Sequence, residues 1–228
     1  MTFPGFGQGY FDFFSDLTLH NERAWFTEHK ARYEAEVAQP LLAFTAAIAP
    51  LLAEISPHIK ADPRRVGGSM FRIYRDTRFS KDKTPYKTHG ALQFRHAAGR
   101  DVHAPGFYLH AGMNDCVVVL GIWQPDGPGL QKIREAIVEK PEAWLAARDD
   151  AAFAETWTLA GESLKRPPKG FDKDHPLVDD LKRKDHIAMH QLSPHAFMDP
   201  DLPRQVADMF ARATPYMRFL CRALDLPF

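Results

Sequence analysis

The chain has 228 residues, of which 45% are hydrophobic, 12% aromatic and 25% charged, fractions that exclude a disordered, collagen-like or low-complexity protein. Lys and Arg together number 29, as do Asp and Glu, and the pI is near 7.2. That balance excludes a uniformly basic nucleic-acid coat and an acidic tail protein.

Cys116 and Cys221 are the only cysteines, and neither sits in a CxxC pair, so zinc held by thiolates is excluded. The sequence leaves a single disulfide open, but two lone thiols in a chain long enough for a real core point to a reducing compartment. The N-terminus, MTFPGFGQGYFDFF, has neither a basic start nor an uninterrupted apolar run, unlike a signal peptide. The longest apolar stretch is read around Cys116 to Trp123, well short of the roughly 20 residues a membrane helix needs. The expectation is a soluble, cytoplasmic protein with no membrane contact.

The first third reads as helix. Asn21 is placed to cap a helix from Glu22 to about Ala38, with Phe26, Lys30, Tyr33 and Val37 on one face. Pro40 suits the first turn of a second helix, whose buried stripe is Leu41, Phe44, Ile48, Leu51 and Ile55. The middle third reads as antiparallel sheet. Ser69 to Arg75 alternates as a strand, with Phe71 and Ile73 on one face and Arg72 and Tyr74 on the other, and Ala91 to His96 is a second strand. Phe107 to Gly112 and Cys116 to Trp123 form a hairpin with Asn114-Asp115 near its turn. Val117 to Ile122 is apolar at both parities, which predicts a central strand covered on both faces.

In the last third, Pro128 opens a helix bearing Leu130, Ile133 and Ile137, and short helices follow over Pro141 to Ala147 and Ala151 to Trp157. A Pro- and Lys-rich loop runs from Arg166 to Pro176, His186 to Leu192 is a further strand, and Leu202 to Leu224 reads as one long helix. Helices flanking a run of strands predict a one-domain α+β fold over residues 1–228. Its antiparallel sheet is expected to have about five or six strands, covered by the N-terminal and C-terminal helices.

Charge is unevenly placed. From Arg64 to Arg100 there are ten Lys and Arg against two acids, Asp76 and Asp82, a net of +8 in a chain whose total is zero. Within this segment Arg72, Arg75, Arg78, Lys81, Lys83 and Lys87 interleave with Tyr74, Phe79 and Tyr86. Arg presents planar bidentate donors and Lys a point charge, both suited to phosphate or carboxylate oxygens, while aromatic rings stack on bases. Surface ion pairing with acids elsewhere in the chain would explain the same composition without a ligand. No glycine-rich phosphate loop of the GxxxxGKS kind is present.

The block RDTRFSKDKTPYKTH, Arg75 to His89, closely resembles the signature of the uncharacterised conserved-hypothetical family known as domain-of-unknown-function family 2461. The likeness extends to Phe13–Pro40, Gly106–Gly112, Gly121–Ile137 and Leu164–Pro176. This resemblance implies a single family domain in a cytoplasmic protein and brings no established activity, substrate, cofactor or catalytic residue.

Weaker constellations carry less. His186 and His190 lie four apart but in HIAMH, which lacks the Glu of a metalloprotease helix, and His103 and His110 flank a strand start without a third ligand in view. Neither a metal nor a cofactor is therefore expected. Ser80 sits outside any GxSxG elbow, Cys116 reads as a small buried hydrophobe, and Trp25 and Trp123 read as packing residues, Trp123 also suiting a pocket wall. Arg134, beside a buried stripe, needs an acidic partner such as Asp76 or Asp82, or else a bound anion.

The leading expectation is binding of an anionic small molecule or nucleic acid through Arg72, Arg75, Arg78, Lys81, Lys83, Tyr86 and Lys87, with Arg134 joining. An enzyme in the same cleft, a hydrolase or phosphoryl-processing catalyst using Asp76 or Asp82 as base, is the second. A ligand-free ion-pair network that fixes the fold is the third.

Overall fold

A computed structural model describes residues 3–99, 104–113 and 115–228; Arg100, His103 and Asn114 lie outside them. In chain order the helices and strands begin with α1 (Gln8–Leu19), α2 (Arg23–Glu28) and α3 (Lys30–Tyr33), which continues through a π turn (Glu34–Ala38) into α4 (Gln39–Ile55). Strands β1 (Ile59–Lys60), β2 (His89–His96), β3 (Gly106–Gly112) and β4 (Cys116–Ile122) follow. Then come α5 (Gly127–Glu139), α6 (Pro141–Arg148), α7 (Ala151–Thr156), β5 (Thr158–Ala160), α8 (Val178–Lys182), β6 (His186–Leu192), α9 (Pro194–Phe197), α10 (Leu202–Arg212) and α11 (Thr214–Ala223). The strands form one antiparallel sheet in the order β1-β2-β3-β4-β6-β5, giving the α+β fold expected.

The period of two along each strand sorts side chains to opposite faces. On β2, β3 and β4 the residues Leu92, Phe94, Phe107, Leu109, Val118 and Leu120 are buried on the helical side. Tyr10 of α1 donates from its hydroxyl to the Ala111 carbonyl at 3.0 Å, and Phe210 of α10 stacks on Phe107 at 4.1 Å, so N- and C-terminal helices share this face. Gly90 permits the approach, because a Cβ there would lie 2.3 Å from the Tyr10 hydroxyl and 2.8 Å from Leu41. β4 is central, as its composition predicts, but only one of its faces is sealed by helices. Val119 and Gly121 of the other parity border an open cavity, so the described residues do not cover both sides in full.

Several local expectations are corrected. Asn21 caps no helix: Glu22 occupies the N-cap of α2, and the Asn21 amide instead exchanges two 3.0 Å hydrogen bonds with the backbone of Tyr86. Ser69 to Arg75 keeps its alternation, Ile73 buried and Arg72 and Tyr74 exposed, but is not a regular strand. It meets the chain at 85–93 through two isolated bridges, Met70 with Leu92 and Tyr74 with Tyr86. The C-terminal helix is two helices, broken at Ala213, because Pro215 sits in the first turn of α11 and cannot donate back into α10. The helical run Lys30–Ile55 is long and apolar enough to cross a membrane by length and composition, exceeding the stretch at 116–123. Its residues Leu41, Phe44, Ile48 and Leu52 lie in the core.

Candidate functional site

The basic segment divides into a tip and a base. At the tip, acids and cations pair locally. Arg75 meets Asp82 at 2.5 Å and also donates to the Thr84 hydroxyl, while Arg78 meets Asp76 at 2.7 Å. The Arg78 side chain and backbone N–H hold the Asp76 carboxyl down at about 2. The Thr84 backbone N–H, then Arg75, does the same for Asp82, also at about 2. Carboxylates so stabilised in the charged form, and exposed, are weak proton acceptors at neutral pH, which removes the motive for assigning either as a base. Lys83 spends its ammonium on the Thr77 carbonyl at 2.8 Å. Outside the tip, Arg64 meets Asp62 at 2.5 Å and Arg65 meets Glu34 at 2.7 Å. Lys81 has no partner among the described residues.

The base of the segment differs. Lys87 donates to the Arg72 carbonyl at 2.9 Å, and its ammonium lies 5.2 Å from the centre of the Phe71 ring. No carboxylate among the described residues meets it. Burial first, then the positive charge of Arg72, pushes the Lys87 pKa down. The Arg72 guanidinium likewise has no partner among the described residues. Two like charges therefore sit close together with no acid among the described residues to offset them.

Lys87 opens onto a cavity of about 430 Å³ on the open face of the sheet. That volume lies within the ~300–1,000 Å³ typical of small-molecule sites. Its walls include Phe71, Val119, Trp123 and Ile187, and its polar groups include Lys87, His89, Gln93 and Tyr108. The antiparallel register creates this grouping: Gln93 lies opposite Tyr108 and Ala91 opposite His110, which sets His89 diagonal to His110. The two imidazoles stack with ring centres 3.9 Å apart. Burial, reinforced by His110 and Lys87, lowers His89 to about 4, so it is neutral at pH 7. Burial, with the negative charge of Asp115, raises Tyr108 to about 12.

The other expected site residues lie elsewhere. Tyr86 is buried with its ring stacked on Phe26 at 4.2 Å. It anchors the base of the segment and does not present a hydroxyl to the cavity. Arg134 is buried and meets neither an acid nor the cavity. Its guanidinium donates to the carbonyls of Leu181 at 2.7 Å and Arg183 at 3.2 Å, at the C-terminal end of α8, where partial negative charge collects. The sequence reading missed His89, Gln93 and Tyr108, and weighed His110 only as a metal ligand. The available signal was the alternation of Lys87, just before β2, with His89 and Gln93 on it, and of Tyr108 and His110 on β3.

The fold and this grouping define an α+β protein with a helix-backed antiparallel sheet and a cavity on its open face. Residues 9–219 match the family described as conserved hypothetical protein (DUF2461), and the chain belongs to that family. No curated protein matches the chain.

Proposed function

We propose that this protein binds a small organic anion, an aromatic or apolar body carrying a phosphate or carboxylate, in the cavity on the open sheet face. One observation carries the reading: Lys87 and Arg72 are adjacent cations without an acidic partner among the described residues, and Lys87 lines a cavity with aromatic walls. An incoming anion supplies the missing counter-charge, and charge-assisted hydrogen bonds to a partly dry ammonium are stronger than those at an open surface. Phe71 and Trp123 take the organic body. The two cysteines, both free and buried, support a cytoplasmic setting.

The test is calorimetric titration with phenylphosphonate, whose carbon–phosphorus bond resists hydrolysis. Salt-sensitive binding, markedly weakened in Lys87→Ala and unaffected in Arg78→Ala, is expected. Equal affinity in Lys87→Ala and the parent would overturn the proposal.

A second reading rests on Phe79, which is 95% exposed at the tip with the Arg78 guanidinium over its ring at 5.8 Å. An exposed ring beside cations suits stacking on an unpaired base. Binding of single-stranded DNA that Phe79→Ala abolishes would favour it over the cavity.

A further inference from the structure

Tyr108 and His110 share a face of β3, and a third group lies next to them. The Tyr108 hydroxyl is 3.2 Å from Nδ1 of His110, and Nε2 of the same ring is 3.5 Å from the Asp115 carboxylate. A carboxylate beside Nε2 favours the tautomer with the ring proton there. Nδ1 is then the acceptor, and the Tyr108 hydroxyl donates to it. The order carboxylate, imidazole, hydroxyl is the arrangement in which a hydroxyl sheds its proton as it attacks. Hydrogen bonding alone would account for a buried pair. It would not require the hydroxyl-bearing residue to line a cavity that also holds a cation with no acidic partner among the described residues, and Tyr108 lines that cavity alongside Lys87. His110 is sheltered by the stacked His89 ring. A phenol is more acidic than an aliphatic hydroxyl even when burial has raised it.

We infer that Tyr108 is the nucleophile of a phosphoric-ester hydrolase, with His110 as its base and Asp115 positioning His110. The inference rests on the binding reading above, since Lys87 would hold the phosphoryl oxygens, with the charge of Arg72 beside it. In the first step the Tyr108 oxygen bonds to phosphorus while its proton passes to Nδ1 of His110. The ester phosphorus–oxygen bond breaks, and the departing alkoxide takes that proton and leaves as an alcohol. In the second step water gives a proton to His110 as its oxygen bonds to phosphorus. The bond from Tyr108 to phosphorus breaks, and the phenolate recovers its proton from His110. The sum is ester plus water to alcohol plus phosphate. Lys87 and Arg72 offset the negative charge on the phosphoryl oxygens throughout, and the imidazolium formed in each step is paired with Asp115.

The experiment uses the full chain with p-nitrophenyl phosphate, following p-nitrophenolate release and, after a rapid quench, phosphorylation of Tyr108 by peptide mass spectrometry. Turnover and a phosphorylated Tyr108 peptide are expected. Tyr108→Phe, which removes one oxygen, should abolish both while keeping phenylphosphonate affinity and the thermal midpoint of the parent. His110→Ala should lower kcat at least about 10²-fold. Asp115→Asn should lower kcat with KM held and shift the acidic limb of its pH profile, and Asp115→Glu should restore part of the rate. Phenylphosphonate binding with no turnover and no phosphotyrosine would overturn this inference and leave the binding proposal standing. Absence of phenylphosphonate binding would overturn both. Turnover that persists in Tyr108→Phe would overturn the assignment of the nucleophile.

Discussion

Two regions only a few residues apart use the same kinds of side chain in opposite ways. At the tip of the basic segment, Arg75 and Arg78 are matched by Asp82 and Asp76, whose carboxylates are more than half exposed. At its base, Arg72 and Lys87 meet no acid among the described residues, and Lys87 is half-withdrawn from solvent beside an aromatic ring. Charge density alone does not distinguish them. The free-energy cost of holding a cation does: an exposed, paired cation is nearly neutral in energy, whereas one partly desolvated without a counter-ion is held at a cost that a ligand can repay.

Acid separates the two regions most strongly. His89 on the sheet face is lowered to about 4, and His186, wholly buried at the start of β6, to about 3 by burial, with Arg183 and Arg134 reinforcing. In the unfolded chain both titrate near 6.5. Both are neutral in the fold, so below about 6.5 the unfolded state binds more protons and stability falls as pH falls. The slope is about 1.4 kcal/mol per pH unit for the fully buried His186, with a second contribution from His89. The tip carboxylates, held at about 2, are silent in this window. Denaturant midpoints from pH 7 to pH 4.5 should therefore drop steadily. His89→Asn should make the curve shallower while the His186 contribution remains, and the Asp76→Asn, Asp82→Asn pair should leave its shape unchanged. A curve that is flat in the parent would contradict the burial assigned to both imidazoles.

Next in size is the loss of binding. Removing one charge-assisted contact costs about 1.5–3 kcal/mol, so Lys87→Ala should weaken phenylphosphonate roughly 10- to 100-fold. The Arg75→Ala, Arg78→Ala pair, whose cations already have partners, should change affinity far less. The reverse ranking would show that the tip, not the base, is the binding region.

Asn21→Ala should follow. Its amide satisfies both backbone groups of Tyr86, the residue before Lys87. Leaving those groups without their partner costs about 1–3 kcal/mol, measurable as a lower denaturant midpoint with Tyr86 anchoring loosened. A wild-type midpoint would mean that stacking of Tyr86 on Phe26 suffices to seat the segment.

These same residues show what could be read from sequence. The β3–β4 hairpin, β6, and the helical stripes of α4 and α5 announced themselves through local periodicity and turn chemistry. β1 and β5 are two and three residues long, too short for any period to register. Asn21 carries the signal of an N-cap, but an amide side chain also mimics a peptide group, and only the distant Tyr86 decides which role it takes. Arg134 reads from the sequence as a half-buried cation needing an acid or a bound anion, and it meets neither an acid among the described residues nor the cavity. Its partners are carbonyls of residues 181 and 183, which no spacing rule connects to it. The cavity polar groups lie on two strands whose register joins His89 to His110, and that register is a property of the folded sheet. Pro215, by contrast, carries a local signal for the break between α10 and α11 that the reading of one long helix over 202–224 passes over.

The smallest effect is expected at the tip, and it bears on whether the segment is an internal ion-pair network. If the pairs fixed the fold, Arg75→Ala would unfold the protein. The Arg75 side chain is 28% exposed and that of Asp82 57%, with Asp82 also accepting a 2.9 Å hydrogen bond from the Thr84 backbone. The turn at Asp82–Thr84 is thus held without the guanidinium, and water screens what the pair contributes. Arg78 and Asp76 are more exposed still, at 77% and 60%. The seating of the segment comes from Tyr86 against Phe26, from Asn21, and from backbone bonds of Arg75 to Pro85 and Lys87 to Ile73 at 2.9 and 2.8 Å. Arg75→Ala and Arg78→Ala should both melt within a degree or two of the parent on the scale where about 1 kcal/mol moves a domain of this size by ~2–4 °C. A large fall in either would place the energetic anchor at the tip and return the segment to the role of a structural brace.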